Sequence, residues 1–255
     1  MYLKIYLDKM FDIPNDFSAV ILADGDFPTH QIPLGILHQA QRLICCDGAL
    51  LTLFKHQPQE IERLRAEEKL YGVGDGDSLP AGLKAQYADI FHAVSEQEDN
   101  DLTKATRFAI GMMKACESND KEDKIGSDTN KKNDERNPPL PRVAYLGATG
   151  KREDHTLGNI ALMMRYLRDF AILPEMYTDY GWFTPAQGDM AFSTFERQQM
   201  SIFNFSCTTL ESTGLRWQSY AYKEWWQGTL NECTGSEVSF RADGDYMVYR
   251  TYDAK

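Results

Sequence analysis

The sequence predicts an α/β N-terminal domain with a mainly parallel, Rossmann-like sheet, followed by an all-β C-terminal domain built as an antiparallel sandwich or open barrel. Three observations predict it. Short apolar runs alternate with helical stretches up to about residue 175. Beyond that point, aromatic and β-branched runs recur between turn signals. Between Glu117 and Pro141 the chain loses its apolar residues almost entirely. The expected division is therefore 1–175 and 176–255, with a flexible insertion at 117–141.

Taken in order, Ser18 to Ala23 is an apolar run that reads as a buried strand ending at Asp24-Gly25-Asp26. Pro33 to Arg42 reads as a helix with Leu34, Leu37 and Ala40 on one side. Leu43-Ile44-Cys45-Cys46 is a second buried strand, closed by Asp47-Gly48. Gly48 to His56 has helical spacing, and the charged stretch Gln59 to Lys69 is expected as a surface helix. Lys69 to Val73 is a strand end feeding the loop Gly74-Asp75-Gly76-Asp77-Ser78. Ala88 to Val94 is a further strand. Leu102, Ala105, Phe108, Ala109, Met112 and Met113 mark an amphipathic helix capped by Asn100 or Asp101.

Glu117 to Pro141 holds only Ile125 and Leu140 as large aliphatics, too little apolar surface to offset the entropy of ordering. Arg142 to Leu146 resumes as a strand, and Gly147-Ala148-Thr149-Gly150 turns the chain into a helix from Asp154 to Phe170. Leu157, Ile160, Ala161, Met164 and Leu167 are its expected inward face. Four β runs follow: Ser201 to Ser206, Trp217 to Tyr222, Glu237 to Arg241 and Tyr246 to Arg250.

The chain has 255 residues and a formal net charge of −11, which argues against nucleic acid or an anionic membrane as the main partner. The apolar runs are too short to span a bilayer, and the first residues lack a signal-peptide layout. Five cysteines without zinc spacing read as reduced, buried thiols in a cytoplasmic setting.

Chemistry concentrates at four strand ends: Asp24-Gly25, Asp47-Gly48, Gly74 to Ser78 and Gly147 to Asp154. Loops at the carboxyl ends of parallel strands line the crevice where such sheets bind ligands. In an extended chain Asp75 and Asp77 project to one side, and paired carboxylates suit a hard cation such as magnesium. An acidic turn without a metal is the simpler account of that loop alone. The segment Gly147 to Arg152 lacks the full phosphate-loop pattern, and Gly72 to Gly76 is one residue short of a dinucleotide fingerprint. A helix-opening glycine turn can still bind phosphate through backbone N–H groups. The scattered histidines suggest no nucleophilic triad.

Read together, these loops resemble the thiamine pyrophosphokinase family, which transfers diphosphate from ATP to thiamine. The matching segments are Asp47-Gly48-Ala49, Gly74 to Ser78, Gln97 to Ala105, Gly147 to Asn159, Ser212 to Trp217 and Asn231-Glu232. Four positions depart from the family pattern. Gly76 stands where a bulkier, often aromatic residue is usual, Glu98 where aspartate is frequent, Asn100 where threonine is usual, and Lys151 where glycine is common. The resemblance implies that Asp75, Asp77 and Asp101 hold Mg2+ on the triphosphate, with Asp47 helping to place metal or substrate. It implies Lys104 near the phosphates, Arg152 and Asp154 at the nucleotide, and Gln97 and Ser212 at substrate. It also implies a homodimer in which Trp217 stacks on thiamine across the subunit interface, as a cationic ring on an aromatic face would. From the residues alone Trp217 is equally a core residue of the sandwich. Two alternatives share the acidic loops: another small-molecule kinase or nucleotidyl transferase, and a non-catalytic nucleotide or thiamine sensor.

Overall fold

Strand β1 (Ala19–Leu22) and strand β2 (Leu43–Cys46) are buried at every position, as expected of parallel strands covered on both faces. The computed structural model describes residues 13–96, 98–122 and 139–255. The chain forms two compact units, Met1–Leu140 and Pro141–Lys255. In the first, β1 and β2 are joined in parallel by β3 (Leu70–Gly74) and β4 (Phe91–Ala93), in that spatial order. Strand β4 is short and largely exposed, which limits pairing at a sheet edge.

Helices fill the crossovers of this sheet. They are α1 (Gln31–His38), α2 (Asp47–His56), α3 (Pro58–Ala66), α4 (Ala81–Gln86) and α5 (Asp101–Glu122). Helix α1 buries Ile32, Pro33, Ile36 and Leu37, so its inward face starts earlier than Leu34. Helix α3 is charged, but Ile61 and Leu64 are fully buried and anchor it. Helix α5 packs on β2 and β3 through Leu102, Ala105, Ala109 and Met113. It continues to Glu122, past the expected start of the insertion at Glu117. Residues 123–138 lie outside the described residues.

In the second unit, β5 (Arg142–Leu146), α6 (Glu153–Phe170) and β6 (Leu173–Tyr177) form a parallel βαβ unit. Pairing then changes direction. Strand β6 is antiparallel to β7 (Gly181–Gln187), which pairs with β13 (Asp245–Ala254), then β9 (Gln198–Asn204), then β11 (Asn231–Glu232). The change of sequence texture near residue 175 thus marks a change of strand direction, whereas the division into compact units falls at Leu140. A second sheet, ordered β10 (Leu210–Thr213), β12 (Glu237–Ala242), β8 (Met190–Ser193), completes a sandwich. Its core includes Phe192, Met200, Ile202, Val238, Phe240 and Tyr246.

Two local expectations are corrected. Helix α6 faces inward through Met163, Met164, Tyr166 and Leu167, while Leu157 is 57% exposed. Trp217 to Tyr222 is not a strand. Its backbone is met by side chains instead: Ser219 N–H donates to Ser212 Oγ at 2.9 Å, and Trp217 N–H to Asn231 Oδ1 at 3.2 Å. Among the described residues, no helix is long and apolar enough to cross a membrane.

Candidate active site

The parallel register of β2 and β3 sets Cys46 beside Val73, so Asp47 leaves its strand next to Gly74. Helix α2 begins at Asp47, which turns that side chain back against β3. A Cβ on Gly74 would lie 2.6 Å from Cβ of Asp47, so only glycine leaves room for the aspartate. Asp47 is 1% exposed. Its Oδ2 accepts the Ser78 N–H at 2.9 Å, and its Oδ1 is buried without a hydrogen-bond partner.

The loop after β3 bends rather than running extended. Gly76 has φ of +76°, Asp75 Oδ1 accepts the Asp77 N–H at 3.1 Å, and Ser78 Oγ donates to Asp77 Oδ1 at 3.1 Å. The bend brings an oxygen of each of Asp47, Asp75 and Asp77 within 4.8 Å of the others. Three oxygen donors at this spacing, one of them from a carboxylate that also carries a buried orphan oxygen, fit a hard cation such as Mg2+. An unpaired buried carboxylate oxygen has a clear use once a cation sits against it.

Asp101, expected as the third ligand, lies outside that group, and Asp47 takes its place there. Asp101 opens α5, where Asn100 Oδ1 caps the helix by accepting the Thr103 N–H at 2.9 Å. Lys104 is 5% exposed and directs Nζ to Asp101 Oδ1 at 3.4 Å. The Cys46 thiol donates to the Asp101 carbonyl at 3.6 Å. Burial first, and then Asp101, Cys45 and Asp24, push that thiol well above its ordinary value, so it is protonated and no nucleophile. Gln97 lies outside the described residues.

Asp24 was visible in the sequence as an acidic strand end but carried no assigned role. Its Oδ1 accepts from Thr52 Oγ1 at 2.7 Å, and its Oδ2 would stand 2.6 Å from a Cβ on Gly48. It braces the first turns of α2, from which Asp47 projects, and a carboxylate is favourable at that helix end.

In the second unit, the turn after β5 holds three residues at positive φ: Gly147 at +59°, Gly150 at +82° and Lys151 at +55°. Asn159 Nδ2 donates to the Ala148 carbonyl at 2.8 Å, and the Gly150 N–H to Thr156 Oγ1 at 3.2 Å, tying the turn to α6. Arg152 and Asp154 form an exposed bidentate pair, Nε to Oδ1 at 3.1 Å and Nη2 to Oδ2 at 2.6 Å. The guanidinium holds the Asp154 carboxyl below its ordinary value.

Within the sandwich, Ser212 on β10 supports Ser219 as described, and Trp217 is 53% exposed. It is therefore no core residue. Asn231 grips its backbone from both sides, donating Nδ2 to the Trp217 carbonyl at 2.6 Å. The Arg216 guanidinium lies 5.1 Å from the indole centroid. Trp217, Tyr220, Tyr222, Leu230 and Asn231 line a cleft of about 320 Å³.

Fold and sites together define a class: a chain that combines a carboxylate-edged parallel sheet suited to a metal–phosphate ligand with an aromatic-clefted β sandwich. Residues 35–173 match the family model described as thiamin pyrophosphokinase, catalytic domain, and residues 181–249 the model described as thiamin pyrophosphokinase, substrate-binding domain. The chain belongs to the thiamin pyrophosphokinase family, and as such is a kinase-type pyrophosphotransferase. The thiamin pyrophosphokinase from Candida albicans is similar in fold, with TM-score 0.69 at 16% identity over 98% of this chain and 91% of that one. The yeast thiamin pyrophosphokinase gives TM-score 0.70 at 16% identity over 96% and 89% of the two chains. The Bacillus subtilis thiamine pyrophosphokinase gives 0.64 at 18% identity over 92% and 99%. Among curated proteins no sequence match was found.

Proposed function

We propose that the chain transfers the diphosphate of MgATP to the hydroxyethyl oxygen of thiamine, releasing AMP. The observation that carries this reading is the buried, unpartnered Oδ1 of Asp47, a residue grouped with Asp75 and Asp77. These three carboxylates, with Asp101 from the start of α5, are the proposed magnesium ligands. Magnesium, when bound, neutralises the triphosphate and polarises the reacting phosphorus. The chain's own residues orient the substrates. Lys104, already nine-tenths buried, offers its ammonium to the phosphates. Arg152 and Asp154 hold the nucleotide at the glycine turn, where backbone N–H groups favour an anion. Ser212, Gln97 and Trp217 receive thiamine, Trp217 through its exposed ring.

In the reaction the thiamine oxygen forms a bond to the β-phosphorus, and the bond from that phosphorus to the α-bridging oxygen breaks. The departing electron pair stays with AMP. The hydroxyl proton passes to an aspartate of the site, Asp75 or Asp101. Residues 1–175 would carry nucleotide and metal, and 176–255 thiamine and the homodimer contact, with each sandwich closing the partner subunit's site. The buried free thiols of Cys45, Cys46, Cys207 and Cys233 support a reducing, cytoplasmic setting.

The test is to incubate the protein with thiamine, ATP and MgCl2 and resolve the products. AMP equimolar with thiamine diphosphate supports the reading. ADP or pyrophosphate would mean a different transferase, and tight binding without turnover a sensor. Sedimentation tests the dimer: a monomer of full activity removes the cross-subunit role of Trp217.

A further inference from the structure

Gly76 is buried although it sits in a surface loop, and what covers it comes from another element. A Cβ built at Gly76 would lie 2.6 Å from Nζ of Lys84, 2.9 Å from its Cε and 3.3 Å from Cε1 of Phe91. The Lys84 ammonium thus occupies the space that a side chain would take at position 76, the residue that separates Asp75 and Asp77 in the sequence. Lys84 projects from α4, the helix that follows the loop, and its Nζ lies 6.0 Å from the Phe91 ring centroid. Among the described residues it makes no ion pair with Asp75, Asp77 or any other carboxylate. An aromatic face therefore helps hold the cation in place without consuming its hydrogen-bond donors.

We propose that Lys84 is a phosphate-binding residue of this site, its ammonium standing over Gly76 to contact the polyphosphate that the neighbouring carboxylates hold through a metal. The inference rests on the polyphosphate-transfer reading given above. A cation beside a metal site has two consequences of opposite sign. It repels the metal ion alone, and it attracts the anionic metal–polyphosphate complex.

Lys84→Met keeps a hydrocarbon chain over Gly76 and Phe91 while removing the charge, and Lys84→Arg keeps the charge. The probes are Mn2+ alone, followed through the free-ion paramagnetic resonance signal, and inorganic tripolyphosphate with Mn2+, followed by calorimetry. For Lys84→Met the expected results are Mn2+ binding two- to fivefold tighter and tripolyphosphate binding about tenfold weaker, the scale of one charge-assisted hydrogen bond. In the full reaction KM for ATP rises about tenfold, kcat changes less than threefold, and Lys84→Arg recovers most of the loss. Unchanged tripolyphosphate affinity in Lys84→Met, or equal loss in Lys84→Arg, overturns the role of Lys84 while a wild-type protein that makes AMP keeps the parent reading. A wild-type protein that binds neither probe overturns both.

Discussion

Replacing Asp47 by asparagine should stabilise the metal-free protein and abolish its response to magnesium. The side chain is 1% exposed, and its one hydrogen bond, from the Ser78 N–H, can be kept by the amide oxygen. What changes is charge. Asp47 presents an oxygen within 4.8 Å of oxygens on Asp75 and Asp77. With an effective dielectric between about 40 and 80, each such pair repels by about 1–2 kcal/mol, so removing one charge relieves about 2–3 kcal/mol. The orphaned Oδ1 adds a desolvation cost that an amide among carboxylates would reduce. In EDTA the Asp47→Asn protein should therefore melt about 5–10 °C above wild type. Adding MgCl2 to about a hundred times its dissociation constant should stabilise wild type by about 2.7 kcal/mol and leave the variant within about 2 °C of its EDTA value. Differential scanning calorimetry with and without chelator reads both effects. A variant that melts lower than wild type in EDTA, or one that magnesium stabilises equally, would refute the argument that Asp47 is held in place for a cation.

Four further outcomes follow from the same geometry. Asp75→Ala or Asp77→Ala should lower turnover by orders of magnitude with little loss of melting temperature, and near-normal rates in both would remove the metal assignment. Lys151→Gly should raise stability by about 0.5–1 kcal/mol, because Lys151 holds a φ of +55° that costs a side-chain-bearing residue about 1–2 kcal/mol, partly offset by unfolded-state entropy; a lower melting temperature would show that its side-chain contacts outweigh the strain. Asp243 accepts the Thr208 and Thr209 N–H groups, each at 2.8 Å, and the Thr208 hydroxyl and these N–H groups bring its carboxyl down to about 2. Since the folded value is depressed, its contribution is complete above the ordinary 3.8 and lost as pH falls towards 2, and urea midpoints of wild type and Asp243→Asn should converge over that window. Trp217→Ala should raise KM for thiamine about tenfold at unchanged melting temperature, with Trp217→Phe intermediate, whereas a large loss of stability would return the ring to a structural role.

The parallel strands were the most legible part of the chain. Ala19 to Leu22 and Leu43 to Cys46 are buried on both faces, so they read as continuous apolar runs that admit no other assignment of comparable fit. Where the local pattern misled, a distant partner decides the outcome. Trp217 to Tyr222 has the aromatic density of a strand, but Asn231 and Ser212 satisfy its backbone and leave the indole exposed. Leu157 and Ala161 keep helical spacing with the core positions of α6, yet the first turns of that helix face solvent and the inward face begins at Met163. Periodicity reports a possible face and says nothing of how far along a helix the covering layer extends.

The acidic loops were legible as strand ends gathered at one edge, with their members named through the family resemblance. The contacts that hold each carboxylate in place were not, and the glycines explain why. Three glycines beside these carboxylates are slots for charged groups from elsewhere in the chain. Gly48 faces Asp24, Gly74 faces Asp47, and Gly76 faces Lys84. In the sequence, Asp-Gly pairs signal turns, and only Gly76 adopts a conformation that a side chain would resist. Gly48 and Gly74 instead answer to volume, since a methyl group at either would drive an aspartate out of position. That constraint couples residues 24 and 48, and 47 and 74, pairs whose contact depends on β1, β2 and β3 lying side by side in parallel, whereas 76 and 84 meet through the helix that follows the loop. The positions of Asp24 and Asp47 at this edge are consequently set by strand register rather than by loop composition. A glycine-to-alanine change at 74 should therefore behave like damage to Asp47, losing the magnesium response before it loses the fold.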